Sequence, residues 1–461
     1  MDTLIEFLPF LMFAVLVPLL FSGFPVAFIL GGVGLGFWLL AVGLGIESPN
    51  SFFLVVSRIY GGVVSKLVLV AIPMFIFMGT MLERSGIARE MLEAMQYLTR
   101  RISGGLALSV TLLGVVLAAT TGIIGASVVM MTLLALPVML ERGYDKSLAT
   151  GTIAASGTLG ILLPPSIMLV VMADLLSTSA GGLFMAAIGP SLFLATLYLL
   201  YIYIRTKLNP SLAPAPTRKT SIEGALDQQD VMSPWAIIKS FLPPVLLIIG
   251  VLGSIFGGYA TPTEASGVGA FGALLLAIIK RKVSLRVMQD VLEQSALTTT
   301  MIFGLFVGAT AFSFVFALLG GHDAIIHVME ATGTGPWATL TLLMVVVFLL
   351  GFFFDWIEIT LIILPVFAPV IAALDFGTHL PDPSLTVSWF AILMAVNLQT
   401  SFLTPPFGFA LFYMKGAAPK DIKIADIYRG IVPFVLLQVL CLVTLLLWPE
   451  LALWLPQYLA Q

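Results

Sequence analysis

The chain repeats one apolar phrase, and each time the next apolar stretch is broken in the same way. Thr132 to Val138 reads TLLALPV and Thr360 to Val366 reads TLIILPV. A proline pair interrupts the second apolar stretch in both cases, Pro164-Pro165 after the first phrase and Pro405-Pro406 after the second. Proline removes a backbone donor and disfavours helix in the residue before it, so both stretches are predicted to split into half-helices. Composition identifies the medium around them. With 59% of residues hydrophobic, 10% charged and a mean hydropathy of +1.10, the chain has too little polar surface to cover a water-soluble globule. It reads as an all-α polytopic membrane protein, in which two similarly interrupted segments in corresponding halves point to a transport site.

At about 20 apolar residues per crossing, some ten spans are predicted, near 4–20, 24–45, 67–83, 148–175, 183–204, 241–257, 264–279, 297–319, 388–413 and 430–448. The first carries Asp2 and Glu6 where a signal peptide has basic residues, and no small-residue cleavage site comes after it, so it is expected to be retained. Blocks 105–140 and 337–372 are too long for one crossing and read as re-entrant hairpins. With that assignment every Lys and Arg except Arg58 and Lys66 falls on one side, which the preference of basic loops makes the cytoplasm. Both termini are then non-cytoplasmic. The first hairpin enters from the cytoplasm and the second from outside, so the two copies form an inverted repeat. Residues 1–208 are the first copy, 209–234 a polar, proline-rich cytoplasmic linker, and 235–461 the second copy. Amphipathic arms are expected over 51–65 and 284–296, one in each copy.

The breaks, GTLGILLPPS at 157–166 and NLQTSFLTPP at 397–406, fall where lipid cannot hydrate freed carbonyls. Such breaks persist only in a protein interior or beside a polar cavity. A single proline pair is more often a plain kink; two at matching positions weigh the other way. The hairpin tips supply facing groups: TGIIGASVV (121–129) offers Ser127, and GFFFDWIEI (351–359) offers Asp355 and Glu358. Aligning the TL..LPV copies sets Ser127 against Asp355, and aligning the proline pairs sets Ser156 against Asn397. A carboxylate at membrane depth marks a functional site unless it reaches water at the hairpin mouth. Glu358 reads as its structural partner. Neutral oxygens, one carboxylate and unwound carbonyls suit a hard monovalent cation such as Na⁺, and half-helix N-termini suit an anionic substrate.

Other conspicuous residues have plainer explanations. Thr261, Pro262 and Glu264 match a helix start with a capping box. His322, His327 and His379 are placed in outside loops without ligand spacing, and the lone Cys441 excludes an intrachain disulfide or a multi-cysteine metal site. The basic residues form no patch, so no nucleic-acid partner is expected. Walker, HExxH and serine-elbow motifs are missing from any plausible context, which argues against ATP hydrolysis and against an enzyme.

IPMFIFMGTMLERSGIA (72–88), the glycine-serine hairpin, RGYDKSLATGTIAASGTLGILLPPS (142–166), ATPTEASGVGA (260–270) and NLQTSFLTPPFG (397–408) together resemble the large membrane subunit of tripartite ATP-independent periplasmic (TRAP) transporters. The resemblance covers nearly the whole chain outside linker 209–234. It implies an inner-membrane, Na⁺-coupled importer of organic acids that works by an elevator movement of a two-hairpin domain against a scaffold, with no cofactor beyond Na⁺ as coupling ion. It also implies two partners, a four-helix small membrane subunit on a separate chain and a periplasmic substrate-binding protein. By position, it implies one Na⁺ site at Gly125, Ala126 and Ser127 with Ser156 and the break from Thr158 through Gly160, Pro164 and Pro165 to Ser166. The other would use Asp355, Asn397, Thr404, Pro405 and Pro406, with substrate between the tips. Phe352, Phe353, Phe354 and Trp356 around Asp355 depart from many relatives and hint at an acid larger or more apolar than a C4-dicarboxylate. Proton coupling or a passive carrier or channel is the competing expectation. A channel needs a continuous polar stripe through several spans, and an intramembrane enzyme needs a paired catalytic group; the sequence offers neither.

Overall fold

The computed structural model describes residues 2–121, 124–214, 233–332, 335–380, 382–405 and 408–459, and these fold into twenty α-helices. The first half contains α1 (Asp2–Leu20), α2 (Val26–Gly43), α3 (Phe52–Ile59), α4 (Ala71–Arg84), α5 (Ile87–Thr99), α6 (Gly105–Thr121), α7 (Ile124–Glu141), α8 (Lys146–Thr158), α9 (Ile167–Leu175) and α10 (Ala180–Leu208). The second contains α11 (Pro234–Phe256), α12 (Pro262–Ile279), α13 (Leu285–Leu318), α14 (Gly321–Thr332), α15 (Pro336–Leu350), α16 (Trp356–Ala372), α17 (Thr386–Leu403), α18 (Phe409–Ala417), α19 (Ile424–Leu447) and α20 (Glu450–Leu459). Nine segments among the described residues are long and apolar enough to cross a membrane. Linker positions 215–232 and Pro406 lie outside the described residues.

The element order repeats across the halves. A helical hairpin (α6/α7, then α15/α16) precedes a helix split at a proline pair (α8 and α9, then α17 and α18), and one long helix comes next (α10, then α19). Both blocks too long for one crossing form helix pairs within a few residues of their expected limits. The capping box at Thr261 is also present: its hydroxyl accepts from the Glu264 amide at 3.3 Å and Glu264 Oε2 accepts from the Thr261 amide at 2.8 Å.

Two regions depart from the sequence expectation. Residues 284–296, expected as an arm apart from span 297–319, are continuous with it in the 34-residue α13. No proline interrupts Leu285–Leu318, so nothing forces a break. His322 and His327 sit on α14, not in a loop. The first arm does form, as α3 followed by a π-helical turn over Tyr60–Val64.

Helices pack as two groups. In the first, α2 lies on α13, α4 on α12, and α11 on α12 and α5. Ala27, Gly31 and Gly34 of α2 meet Gly304, Gly308 and Phe312 of α13 so closely that backbones touch, the small-residue contact that lipid-embedded helices use where no hydrophobic effect draws them together. The second group gathers α6 to α10 with α15 to α20, and almost every residue of α8, α9 and α17 is buried there. Exposed Phe, Leu, Ile and Val side chains cover the molecule's outside, which would aggregate in water and is the solvated face in lipid.

Candidate functional site

The two broken helices meet at the centre of the second group. Gln399 Nε2 donates to Thr158 Oγ1 at 3.4 Å, both residues being fully buried. Thr158 lies six residues before Pro164 and Gln399 six before Pro405, so the bond joins two positions that correspond in the repeat. The contact therefore joins the two copies at matching places, deep inside the helix group. Gln399 Oε1 is buried there without a partner, and a buried carbonyl oxygen left unmet is costly enough to call for a ligand or water.

Each broken helix is tied to the first arm of its own hairpin by its predicted polar residue. Ser156 Oγ donates to Thr111 Oγ1 on α6 at 3.2 Å, and Asn397 Nδ2 donates to the Met344 carbonyl on α15 at 2.7 Å. Glycines let the tips approach. Val128, next to Ser127, packs on Gly157 of α8, and a Cβ at Gly351 would collide with Ser401 of α17. The second arms cross between halves: α7 packs on α18, with Gly125 against the Tyr413 ring, and α16 packs on α9. Each hairpin therefore touches the broken helix of its own half and the half-helix of the other.

The first tip and break are neutral. Ser127 is buried and Ala126 exposed, while Gly160, Pro164 and Pro165 are buried in the break. Ser166 Oγ donates to the Ile161 carbonyl at 2.6 Å, and Thr158 Oγ1 to that of Ala155 at 2.9 Å. Both hydroxyls thus keep oxygen lone pairs for a further partner. The second tip is acidic. Asp355 is the N-cap of α16, its Oδ1 accepting from the Trp356 amide at 2.7 Å, and Glu358 Oε2 accepts from the Asp355 amide at 3.3 Å. Glu358 is the structural partner expected. Thr404 and Pro405 are half-buried, and Thr404 Oγ1 donates to the Thr400 carbonyl at 2.7 Å. The aromatic residues have packing roles: Phe353 and Phe354 contact Phe21 after α1, Phe352 stacks edge-on with Phe348, and Trp356 is 1% exposed.

Of the residues expected at the site, Thr158 is brought against Gln399 of the other half, and Ser156 and Asn397 hold the hairpins. The bonds of Asp355 among the described residues stay within its own tip. Gln399, Thr111, Met344, Ser401 and Tyr413 were missed. Gln399 had a signal: the proline-pair alignment that matches Ser156 with Asn397 also matches Thr158 with Gln399, two residues on.

The profile of the family described as "Tripartite ATP-independent periplasmic transporter, DctM component" matches residues 12–451. The chain is 30% identical over 395 residues to the C4-dicarboxylate TRAP transporter large permease protein DctM of Pseudomonas aeruginosa, covering 85% of this chain and 86% of that one. It is 29% identical over 445 residues to the ectoine/5-hydroxyectoine TRAP transporter large permease protein UehC of Ruegeria pomeroyi, covering 96% and 97%. It is also 29% identical over 430 residues to the isethionate TRAP transporter permease protein DctMQ of Oleidesulfovibrio alaskensis, 91% of this chain but 63% of that one. The crystal structure of the Alcanivorax borkumensis YdaH transporter shares the fold, with a TM-score of 0.60 at 17% identity over 88% of each chain. These relatives are transporter permeases and not enzymes. The chain belongs to the DctM family, the large permease component of tripartite ATP-independent periplasmic transporters.

Proposed function

We propose that this permease imports a small organic acid anion by coupling its movement to the Na⁺ gradient, through an elevator movement of the hairpin group against the α1–α5 and α11–α13 group. One observation carries the reading: two broken helices meet at Thr158 and Gln399, with an unpaired buried oxygen between them. Hydroxyls, amide oxygens and freed carbonyls around that point suit Na⁺, which takes hard oxygen ligands. One ion would lie by Ser127, Thr158 and Ser166, and another by Asp355, Asn397 and Thr404. The acid would sit between the tips. C4-dicarboxylate, ectoine and isethionate, named for the relatives, are all small and polar and carry an acid group, which supports a substrate of that class.

The halves would be inverted repeats over 1–208 and 235–461, with both termini outside the cytoplasm. A periplasmic binding protein would deliver the acid, and a four-helix small subunit on its own chain would complete the scaffold. The test is uptake by the complex reconstituted with both partners, in Na⁺ and in K⁺ at equal ionic strength. Uptake is expected to stop in K⁺; uptake that continues would remove Na⁺ coupling and leave a proton-coupled or passive carrier.

A further inference from the structure

A cleft of about 800 Å³ lies beside the candidate site, enclosed by the first arm, the end of α9, α16, the end of α13 and the start of α14. Its lining is mixed, apolar residues such as Phe314, Leu318 and Leu361 alternating with polar ones, and basic groups outnumber acidic ones. Arg58, Lys66 and His322 face it, with the hydroxyls of Thr310 and Ser313, and Asp174 is the one acid. The arm reaches it through the π-helical turn over Tyr60–Val64, a geometry that is rare and concentrated at functional sites.

The charges do not cancel. Lys66 Nζ pairs with Asp174 Oδ1 at 2.9 Å, the acid being 7% exposed and the lysine 42%. Arg58 lies 5.8 Å from the Phe314 ring centroid and, among the described residues, has no carboxylate within ion-pair reach. His322 Nδ1 donates to the Val366 carbonyl at 3.1 Å, which leaves Nε2 for another partner.

Position links the cleft to the transport path. Thr263 at the start of α12 bonds the Leu67 carbonyl beside Lys66, and Lys280 just past its end pairs with Glu90. Eighteen helical residues, about 27 Å, separate those levels, so the cleft lies on the face opposite the Glu90 cluster. That is the outer face in the orientation proposed above. Asp174 lies about 12 Å along α9 from the break at Ser166, and Leu361 in the cleft wall about 9 Å along α16 from Asp355. Two of the helices bounding the cleft, α9 and α16, carry the first break and the second tip.

We infer that this cleft is an anteroom that captures the carboxylate of the incoming acid between Arg58 and Lys66 before it passes to the hairpin tips. Asp174 is its built-in competitor, holding Lys66 until a free carboxylate displaces it. The volume suits a small acid, since ligand sites of this kind span about 300–1,000 Å³. The inference rests on the import reading only for the direction of traffic.

Cys441 is buried, so Ser313→Cys places a reactive thiol in the cleft of the full transporter in membranes. Its labelling rates are compared for an anionic sulfonatoethyl and a cationic trimethylammonium methanethiosulfonate, each divided by the same reagent's rate with a small free thiol in solution. A focused positive field predicts a preference of about fivefold or more for the anion. Arg58→Gln with Lys66→Gln should bring the ratio near one, Arg58→Lys should preserve it, and Asp174→Asn should raise it. Acetate and succinate should slow labelling where chloride at equal ionic strength does not. A ratio at or below one, indifference to Arg58→Gln while Arg58→Lys behaves normally, or labelling unaffected by either carboxylate would overturn the assignment. Labelling needs neither Na⁺ nor turnover, so Na⁺-independent uptake would sink the coupling proposed above and leave this result standing.

Discussion

Hairpin α6/α7 ends in glycine, alanine and serine, whereas hairpin α15/α16 ends in an acidic capping box among aromatic rings. Their mechanical placement is nevertheless the same, each hairpin lying against its own broken helix and the partner half's half-helix. Repetition therefore conserves where backbones go and leaves the side chains free to differ. In the first half the polar work falls to hydroxyls and carbonyls; in the second, a carboxylate and two amides, Asn397 and Gln399, are added. If both pockets hold cations, they hold them with unequal charge.

The sharpest asymmetry is steric. Gly151 of α8 lies against the Gly430 backbone of α19, so any side chain there meets main chain that cannot move aside. The proline-pair alignment places Ile392 at the corresponding position of α17, already filled and buried. Gly151→Leu is expected to cost about 3 kcal/mol or more by overpacking and to remove folded protein from membranes, while Ile392→Leu costs under about 1.5 kcal/mol. Size-exclusion profiles of the solubilised chain check both. Equal tolerance at the two positions would mean that the central packing is looser than the close approach of α8 and α19 implies.

Next in size is the charge difference between the tips. Asp355→Ala removes a helix cap and, on the proposed reading, an ion ligand as well, and the cap alone accounts for about 1 kcal/mol. Asp355→Asn separates them, because asparagine caps as well as aspartate but carries no charge. Uptake by Asp355→Asn should fall on the order of 100-fold with normal assembly, as for loss of a charged ligand worth about 1.5–3 kcal/mol. Ser127→Ala, its neutral counterpart, should lower apparent Na⁺ affinity only about 2- to 10-fold. Normal uptake by Asp355→Asn would reduce Asp355 to a helix cap. Gln399→Leu lies between the two: it fills the same space but removes the unpartnered buried oxygen, and should raise the Na⁺ concentration for half-maximal uptake about 10-fold.

These residues also show what could be read from the chain. The hairpins and breaks were legible because length, apolarity and proline act locally, and they set helix limits without help from neighbours. The capping box at Asp355 and Glu358 was equally local, the same pattern recognised at Thr261, but a carboxylate at membrane depth drew the functional reading first. The fusion of the second arm into α13 was not legible, since an amphipathic segment and an apolar one can be one helix or two depending on what packs beneath. Nor was the α2 contact with α13, where glycines four apart on α13 mean nothing until a partner helix is known.

The smallest effect tests whether the halves are held together at their centre or their edge. At the edge, Glu90 of α5 pairs with Lys280 at 2.7 Å and Lys282 at 3.1 Å after α12. Burial pushes the Glu90 carboxyl up, but hydrogen bonds and charge from the two lysines outweigh it and hold the group below its ordinary value of 4.5. A depressed folded value means that the ionised form is favoured by folding. Its contribution is therefore fully present above about pH 5.5, beyond the unfolded value, and disappears as pH falls through the folded one below 4.5. Solvent screens a pair this exposed, so Glu90→Gln should lower stability by under about 1 kcal/mol at neutral pH and by nothing measurable in strong acid. Thermal melts of wild type and variant across that range would show the curves converging as the pH drops. A loss at neutral pH rivalling that of Gly151→Leu would shift the weight of the assembly from the buried contact of Thr158 and Gln399 to an ion-pair cluster at its rim. The centre would then be free to open during transport, whereas a small loss leaves the centre as the fixed point about which both hairpins are arranged.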